Sequence, residues 1–297
     1  MKKILFLLVT MIMSLVSCTD QQLVDETLAN KALLPTENEF NALIEQARWG
    51  DGHAFLKLAD CYRDGKGVEK DFVGMLSMAA QADEFGGVRR MEDYLKEMPE
   101  GSDYRMIFEA IEKFEDKQVE EAKMMSEQLI SKGVPEGYFV QGFMAIESGD
   151  TLGGLRMMEL AASQGSNLGN LMLYIPKFQK GKSPDMAKLT ELAEKMPILN
   201  IILARHYWGH DDNNTFDEQM AAHYYLKADE HACLDRRGAR WLLGYHEAGK
   251  LQLSEHDVTR LKILSGVVDS YGLQPMLVRE YEEPEEIIEV VDTVAAR

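Results

Sequence analysis

An internal repeat is the feature of this sequence that most constrains what the chain can fold into. Six segments share one pattern. Each begins with a residue that can cap a helix, continues with an apolar run, and has a helix-ending or small residue fifteen positions after the cap. The aligned positions of the runs, four residues after each cap, are Met75, Ala122, Gly154, Met186, Ala221 and Leu261. Aspartate fills the cap in four copies: Asp71, Asp150, Asp217 and Asp257. This regular spacing indicates a repeat protein.

Each repeat is predicted to consist of two short helices. In the first full copy, Leu58 and Tyr62 fall on one face of a first helix, and Met75 and Met78 fall on one face of a second. The run Gly-Lys-Gly at 65–67 separates the two helices. Because one such pair is too small to bury its own apolar faces, stacked pairs must share a continuous core. The sequence therefore predicts an all-α fold, an α-solenoid of about six antiparallel helix pairs.

The first copy also resembles a known repeat family. The pattern A-x-x-x-L-A-x-x-Y-x-x-G-x-G-V-x-x-D at 54–71 resembles the Sel1-like repeat, a relative of the tetratricopeptide repeat. The match is closest in 54–86, weak in 119–200 and worst in 87–118, which is therefore interpreted as degenerate or inserted. The resemblance implies a right-handed superhelix of antiparallel helix pairs over 38–281. It further implies a role as a scaffold for protein partners, without catalytic residues.

The first eighteen residues have the layout of an export signal. A basic start is followed at 4–16 by thirteen uncharged, largely apolar residues, fewer than the roughly 20 that span a bilayer. The run ends in Leu-Val-Ser-Cys, which resembles a bacterial lipobox with Cys18 as its last residue. That resemblance implies that residues 1–17 are a signal peptide, that the Cys18 thiol carries lipid, and that 18–37 form a tether. The other interpretation is an ordinary secretory peptide in which this cysteine is incidental.

The charge of the chain narrows its partners and its location. It has 32 Lys and Arg against 50 Asp and Glu, a formal net charge of −18. Such a surface repels phosphate, which argues against a nucleic-acid partner. Anionic lipid headgroups would be repelled in the same way, so the lipid on Cys18 must provide the anchoring to the bilayer. We expect a lipid-anchored protein of the bacterial cell envelope, at the outer membrane, with its periplasmic or surface face unassigned.

The residues that could support catalysis or metal binding show no convincing motif. Cys61 and Cys233 fall in distant repeats, so each is predicted to be a buried apolar side chain rather than half of a disulfide. His206 and His210 have the spacing to share one helix face and hold a metal, but Gly209 is expected to end that helix between them. Nucleophile and phosphate-loop motifs are absent. We therefore predict no metal, no cofactor and no enzymatic activity.

Aromatic and basic residues crowd the C-terminal repeats, and they form the candidate partner-binding set. First helices of such solenoids usually line the concave face, where these side chains would offer aromatic and arginine anchors to an acidic or peptide partner. The competing interpretation is that the aromatic residues pack in the core between helix pairs. The candidate set is Arg205, His206, Trp208, Arg236, Arg240, Trp241 and Tyr245.

The C-terminal tail at 282–297 is acidic. Counted from residue 279, this end of the chain has seven acidic residues and an apolar stripe after Pro284. We expect the tail to cap the open end of the solenoid, as such arrays require. The alternative is a segment that binds a partner.

These features favour a non-enzymatic lipoprotein whose solenoid binds a protein or peptide partner as an adaptor or scaffold. The alternative is an envelope enzyme or glycan-handling accessory with its site in the histidine- and aromatic-rich C-terminal repeats, and a third possibility is a purely structural role. An enzyme requires a deep pocket with convergent polar groups. An adaptor requires an open surface, so the two interpretations differ in a feature that a structure can show.

Overall fold

The computed structural model describes residues 37–86, 91–174, 185–209 and 216–266 of the 297-residue chain. Within these ranges the chain forms fourteen α-helices and no strand, which confirms the predicted all-α class. The helices are α1 (Glu37–Arg48), α2 (Gly52–Asp64), α3 (Phe72–Gly86), α4 (Met91–Lys96), α5 (Asp103–Glu115), α6 (Val119–Ser131), α7 (Glu136–Glu147), α8 (Thr151–Ser163), α9 (Asn167–Tyr174), α10 (Met186–Ala193), α11 (Leu199–Tyr207), α12 (Glu218–Glu230), α13 (Arg236–Glu247) and α14 (Glu255–Leu264).

Consecutive helices pack as pairs along the described ranges. Contacts join α2 to α3, α5 to α6, α7 to α8, α9 to α10, α11 to α12 and α13 to α14. Their connections are mostly short, and short connections between packed helices make them antiparallel. Helix α1 packs on α2 ahead of the first pair, and the six-residue α4 contacts both α3 and α5. Residues 87–118, which fit the repeat worst, thus include α4 and α5.

Aspartate caps fix where three of the second helices begin. The side chains of Asp71, Asp150 and Asp217 each accept a hydrogen bond from a backbone N–H in the first turn of the helix that follows. The prediction that Asp257 caps a helix is wrong. Ser254 caps α14 instead, and the Asp257 N–H donates to the Ser254 hydroxyl at 3.1 Å. The serine is a strong cap three residues upstream, so the helix begins there.

One continuous apolar cluster runs through the stacked pairs and forms the core. Phe55, Phe72 and Tyr225 are among its almost fully buried side chains. Helices approach most closely where glycines lie at the contact. A Cβ at Gly142 in α7 would lie 2.8 Å from the Gly154 carbonyl oxygen in α8, so a side chain there would force the pair apart. Small residues thus set the spacing of the pairs.

The array closes on itself, since its last helices contact its first. Arg260 in α14 donates two hydrogen bonds to the Asp229 carboxylate in α12, both at 2.6 Å, and a third to the Arg48 carbonyl at the end of α1, at 3.3 Å. Arg48 also donates to Asp229, at 3.0 Å. Farther along, Arg236 in α13 donates to the Glu84 carbonyl in α3, at 3.1 Å. Residues more than 200 positions apart therefore meet, and the solenoid forms a closed turn rather than an open arc.

In the described ranges, no helix combines the length and the hydropathy that crossing a bilayer requires.

Candidate functional site

The seven residues of the candidate set lie at the end of α11 and along α13. Arg205 and His206 are in the last turn of α11, and Trp208 directly follows that helix. The other four residues are on α13. The structure brings the three aromatic side chains together at the surface, whereas it places the four basic ones in contacts within the chain.

The aromatic side chains form a connected cluster. The rings of Trp241 and Tyr245 stack with centroids 4.8 Å apart, and the Trp208 ring meets that of Trp241 edge-on at 6.2 Å. All three residues are half-buried, and Trp241 also packs against the buried ring of Tyr225, with ring centroids 5.3 Å apart. Trp241 thus gives one side to the core, and all three residues keep part of their surface in solvent.

Phe216 lies next to the residue that follows Trp208, and it is absent from the candidate set. It is 61% exposed. Its ring lies 3.6 Å from where a Cβ on Gly209 would stand, and Gly209 is the neighbour of Trp208. Phe216 precedes the cap of α12, a position whose apolar side chain often packs on the fourth helical residue. That residue is the small Ala221, which leaves the phenyl ring in solvent. We call Trp208, Phe216, Trp241 and Tyr245 the aromatic patch.

An ion pair borders the aromatic patch. The ammonium group of Lys250 lies 5.6 Å from the centroid of the Tyr245 ring, within the range of a cation–π interaction. The same ammonium pairs with the carboxylate of Glu218 in the first turn of α12. The polar groups at this edge therefore satisfy one another and do not converge on a pocket.

Arg205 and His206 face the interior. Arg205 pairs with Asp235, whose side chain is almost completely buried and also caps α13 by accepting from the Gly238 N–H at 2.7 Å. His206 is 8% exposed, with its ring edge-on to that of Tyr207. Arg205 therefore connects α11 to the start of α13, and the His206 ring is buried beside Tyr207.

Arg236 and Arg240 bind the ends of other helices. Arg236 lies over the Phe85 ring at 5.2 Å besides its hydrogen bond to the Glu84 carbonyl, and burial lowers its pKa. Arg240 donates from Nε to the Ser265 carbonyl at 3.1 Å. The C-terminal ends of α3 and α14 carry partial negative charge, so guanidinium groups stabilise them. Arg236 thereby contributes to the closed turn, whereas Arg240 joins α13 to the end of α14 and its side chain remains exposed.

The groups considered for a metal are not gathered in the described part of the chain. No group of three or more His, Cys, Asp or Glu side chains there has the arrangement to hold a metal ion. His206 is buried, and His210 lies outside the described residues.

A small cavity lies where the first helix pair meets the later ones. Its lining includes Tyr62, Asp71, Ser77, Ile198 and Cys233, and its volume of about 10 Å³ fits about one water molecule. Burial raises the pKa of Asp71, and burial with the nearby Asp71 charge raises the pKa of Cys233 to about 12. The cavity is a packing gap, too small for a substrate.

Cys61 and Cys233, the two cysteines within the described ranges, are free and buried, as predicted. They are not as remote as their repeats suggested. Cys233 lines the same cavity as Tyr62, the neighbour of Cys61, because the closed turn brings the last pairs against the first.

Fold and surface together define the class of this protein: an all-α array of helix pairs, closed into one turn, with an aromatic patch on its surface. No protein-family model and no curated protein matches the chain. It is similar to the crystal structure of a Sel1 repeat protein from Oxalobacter formigenes, at 17% identity and a TM-score of 0.37, over 77% of this chain and 90% of that one.

It is also similar to a protective antigen present in uropathogenic Escherichia coli strains that displays an SLR fold. The identity is 14% and the TM-score 0.34, over 77% of this chain and 56% of the other, so the chain spans little more than half of that protein. Residues 54–71 resemble the same repeat family.

Proposed function

We propose that this protein is a lipid-anchored, non-catalytic helical-repeat protein that binds a protein or peptide partner through the aromatic patch. The observation that carries the proposal is the patch itself, in which Phe216 is 61% exposed beside two half-exposed tryptophans and a tyrosine. Tryptophan and tyrosine dominate the residues that provide binding energy at protein interfaces. A cluster of them at the surface is therefore the strongest indication of where a partner binds.

The form of the patch supports a binding surface over an active site. Its bordering charges, Glu218 and Lys250, pair with each other. The cavity lined by Tyr62 and Cys233 has room for about one water molecule and shares no lining residue with the patch. An envelope enzyme or glycan-handling accessory would need convergent polar groups in a pocket of these repeats, and no described contact favours that alternative.

The anchor is proposed from the sequence, because Cys18 lies outside the described residues. The protein would be held by lipid at the bacterial outer membrane, with residues 18–37 as the tether. Mass spectrometry of the mature N-terminus should find an acylated Cys18, and Cys18→Ser should move the protein into the soluble envelope fraction. A mature chain that begins at another residue would contradict the proposed anchor and would leave the proposed binding surface unaffected.

Partner capture tests the binding surface. Cells that express the protein are cross-linked, and the captured proteins are compared for wild type and Phe216→Ser, which removes an exposed ring without opening the core. Leu152→Ser is the matched control, because Leu152 is an equally exposed apolar residue on α8, at 64%. We expect one discrete protein to be captured by wild type and by Leu152→Ser and to be lost from Phe216→Ser. Equal capture by all three forms would refute the patch as the binding surface.

A further inference from the structure

One face of α13 forms an exposed stripe beside the aromatic patch. Arg237, Arg240, Trp241, Gly244 and Tyr245 recur at the three- and four-residue spacings that place side chains on one face of a helix. The two arginines and the glycine are exposed, and the two aromatic residues are half-buried. We call these five residues the α13 stripe.

Gly244 has no packing reason within the described chain. At other helical glycines an added Cβ would meet another atom at 2.9 Å or less, as at Gly74, Gly137, Gly142, Gly154, Gly169 and Gly238. At Gly244 no described atom would lie within 4 Å of it. Glycine is the poorest helix former apart from proline, so its presence in the interior of α13 disfavours the helix without improving the internal packing. A close approach by a segment outside the described helices would explain the residue.

The N-terminal end of the stripe is positively charged. Arg237 lies in the first turn of α13, where a cation is unfavourable because the helix dipole is also positive there. Neither Arg237 nor Arg240 pairs with a carboxylate among the described residues; Arg240 bonds only the Ser265 carbonyl. In a chain of net charge −18, this end of α13 therefore favours an acidic occupant.

The chain itself continues from this place. Ser265, whose carbonyl accepts from Arg240, is followed by Gly266, where a Cβ would lie 2.8 Å from an Arg236 guanidinium nitrogen. Residues 267–297 lie outside the described ranges, and they contain the acidic segment at 280–292. That segment has seven acidic residues together with Ile287, Ile288, Val290 and Val291. Its charge and its apolar residues both complement the α13 stripe.

The length of the connection permits the contact. Glu280 is fourteen residues beyond Gly266, a stretch that reaches about 50 Å at most when extended. The 12-residue α13 is about 18 Å long. Tethering to the neighbouring helix raises the effective concentration of the segment at the stripe, so weak contacts suffice.

We infer that the acidic segment 280–292 binds the α13 stripe of its own chain. Its carboxylates lie against Arg237 and Arg240, and its apolar side chains lie against Trp241 and Tyr245 and approach the helix closely at Gly244. Because Trp241 and Tyr245 also belong to the aromatic patch, a partner at the patch must displace this segment. That competition rests on the proposed function, whereas the contact itself does not.

Hydrogen exchange in the full chain tests the contact without a partner. The wild type is compared with a variant in which Glu282, Glu283, Glu285 and Glu286 are all replaced by Gln. We expect amides of α13 to exchange at least about five-fold more slowly in the wild type, and that difference to disappear in high salt, since charge pairs at the surface are screened. Identical exchange in the two proteins would overturn the inference.

A synthetic peptide of residues 279–297, added to the four-Gln variant, identifies the surface. Arg237→Glu and Gly244→Leu should each weaken binding of the peptide at least about five-fold. Gly244→Leu introduces a helix former at a position with open space, so it should not disturb the fold. Arg156→Glu, at an exposed arginine on α8, is the matched control and should bind like its parent. Equal binding by all of these forms would refute the α13 stripe as the surface.

A second copy of the chain is the other possible occupant. If slow exchange in α13 appeared only as the protein concentration rises, and sedimentation showed dimers, the contact would be between two chains. That result would overturn the inference. Partner capture is scored separately. If partner capture depends on Phe216 but hydrogen exchange shows no tail contact, only the inference is refuted. If hydrogen exchange shows the tail contact but no partner is captured, only the proposed function is refuted.

Discussion

The buried ion pair between Asp229 and Arg260 gives the sharpest test of the closed turn. The Arg260 side chain is 2% exposed and that of Asp229 5% exposed. Arg260 donates to both carboxylate oxygens at 2.6 Å, and Arg48 donates to one of them at 3.0 Å. Asp229→Ala would leave Arg260 buried and charged with only the Arg48 carbonyl and the longer contact to Asp257 at 3.4 Å.

The size of the expected loss follows from this geometry. Removing one partner of a buried ion pair costs about 3–5 kcal/mol, because the remaining charge stays desolvated. For a domain of this size, 1 kcal/mol lowers the melting temperature by roughly 2–4 °C. Asp229→Ala should therefore lower it by about 6–20 °C. Arg260→Met should cost less than half as much in free energy, since Asp229 keeps Arg48 as its partner and methionine fills much of the space.

A double variant separates pairing from simple packing. Asp229→Leu with Arg260→Met removes both buried charges, and Arg48 retains Glu45, at 2.9 Å. Replacing both members of a buried pair by apolar residues is often neutral, so the double variant should be more stable than Asp229→Ala.

Urea denaturation provides the assay and an exposed pair provides the control. Glu218→Ala breaks the exposed pair with Lys250 and should change the free energy of unfolding by less than about 1 kcal/mol. If Asp229→Ala were no worse than this control, or if Arg260→Met were the more harmful change, the terminal helices would not be closed by this pair.

Three further predictions concern Asp71, a pair of helical glycines and Cys233. Burial raises the pKa of Asp71, so the contribution of this side chain to folding stability is full at low pH and is lost as pH rises through the raised pKa. The difference in unfolding free energy between Asp71→Asn and wild type should therefore move in favour of Asp71→Asn from pH 4 to pH 8. A difference in urea denaturation that does not depend on pH would contradict this. Gly142→Ala should lower the free energy of unfolding by about 1–3 kcal/mol through its clash with the Gly154 carbonyl. Gly244→Ala, made in the four-Gln variant whose tail contact is lost, should raise it by about 0.5–1 kcal/mol, and thermal melts that shift both in one direction would refute the packing argument. Cys233, with its pKa raised to about 12, should react with iodoacetamide at pH 8 only after unfolding, and rapid labelling of the native protein would contradict its burial.

The local parts of the fold could be predicted from the sequence. Caps and apolar periodicity are set by residues within one or two turns, so Asp71, Asp150 and Asp217 were recognisable as helix starts. Asp257 does not begin a helix because Ser254 caps it three residues earlier. The repeat register alone does not tell which of two nearby capping residues is the one that begins the helix.

The closure could not be predicted in this way. Asp229, Arg260 and Arg48 come together only after all the pairs have stacked, and nothing in their local sequence marks them as partners. For the same reason the contact of Arg236 could not be predicted. Its place in the sequence near Trp241 suggests a binding residue, whereas it bonds a carbonyl in α3, 152 positions away.

Closure also decides where a partner can bind. An open solenoid offers the concave face of its first helices, which is where the aromatic and basic residues were expected to act. Here side chains that face across the turn meet: Ser77 and Met78 of α3 share a cavity of about 10 Å³ with Ile198 and Cys233. Ser77 and Gln81 are completely buried. The proposed partner would therefore bind from outside, where the aromatic patch and the α13 stripe lie, and the contact inferred for the acidic segment 280–292 would compete with it.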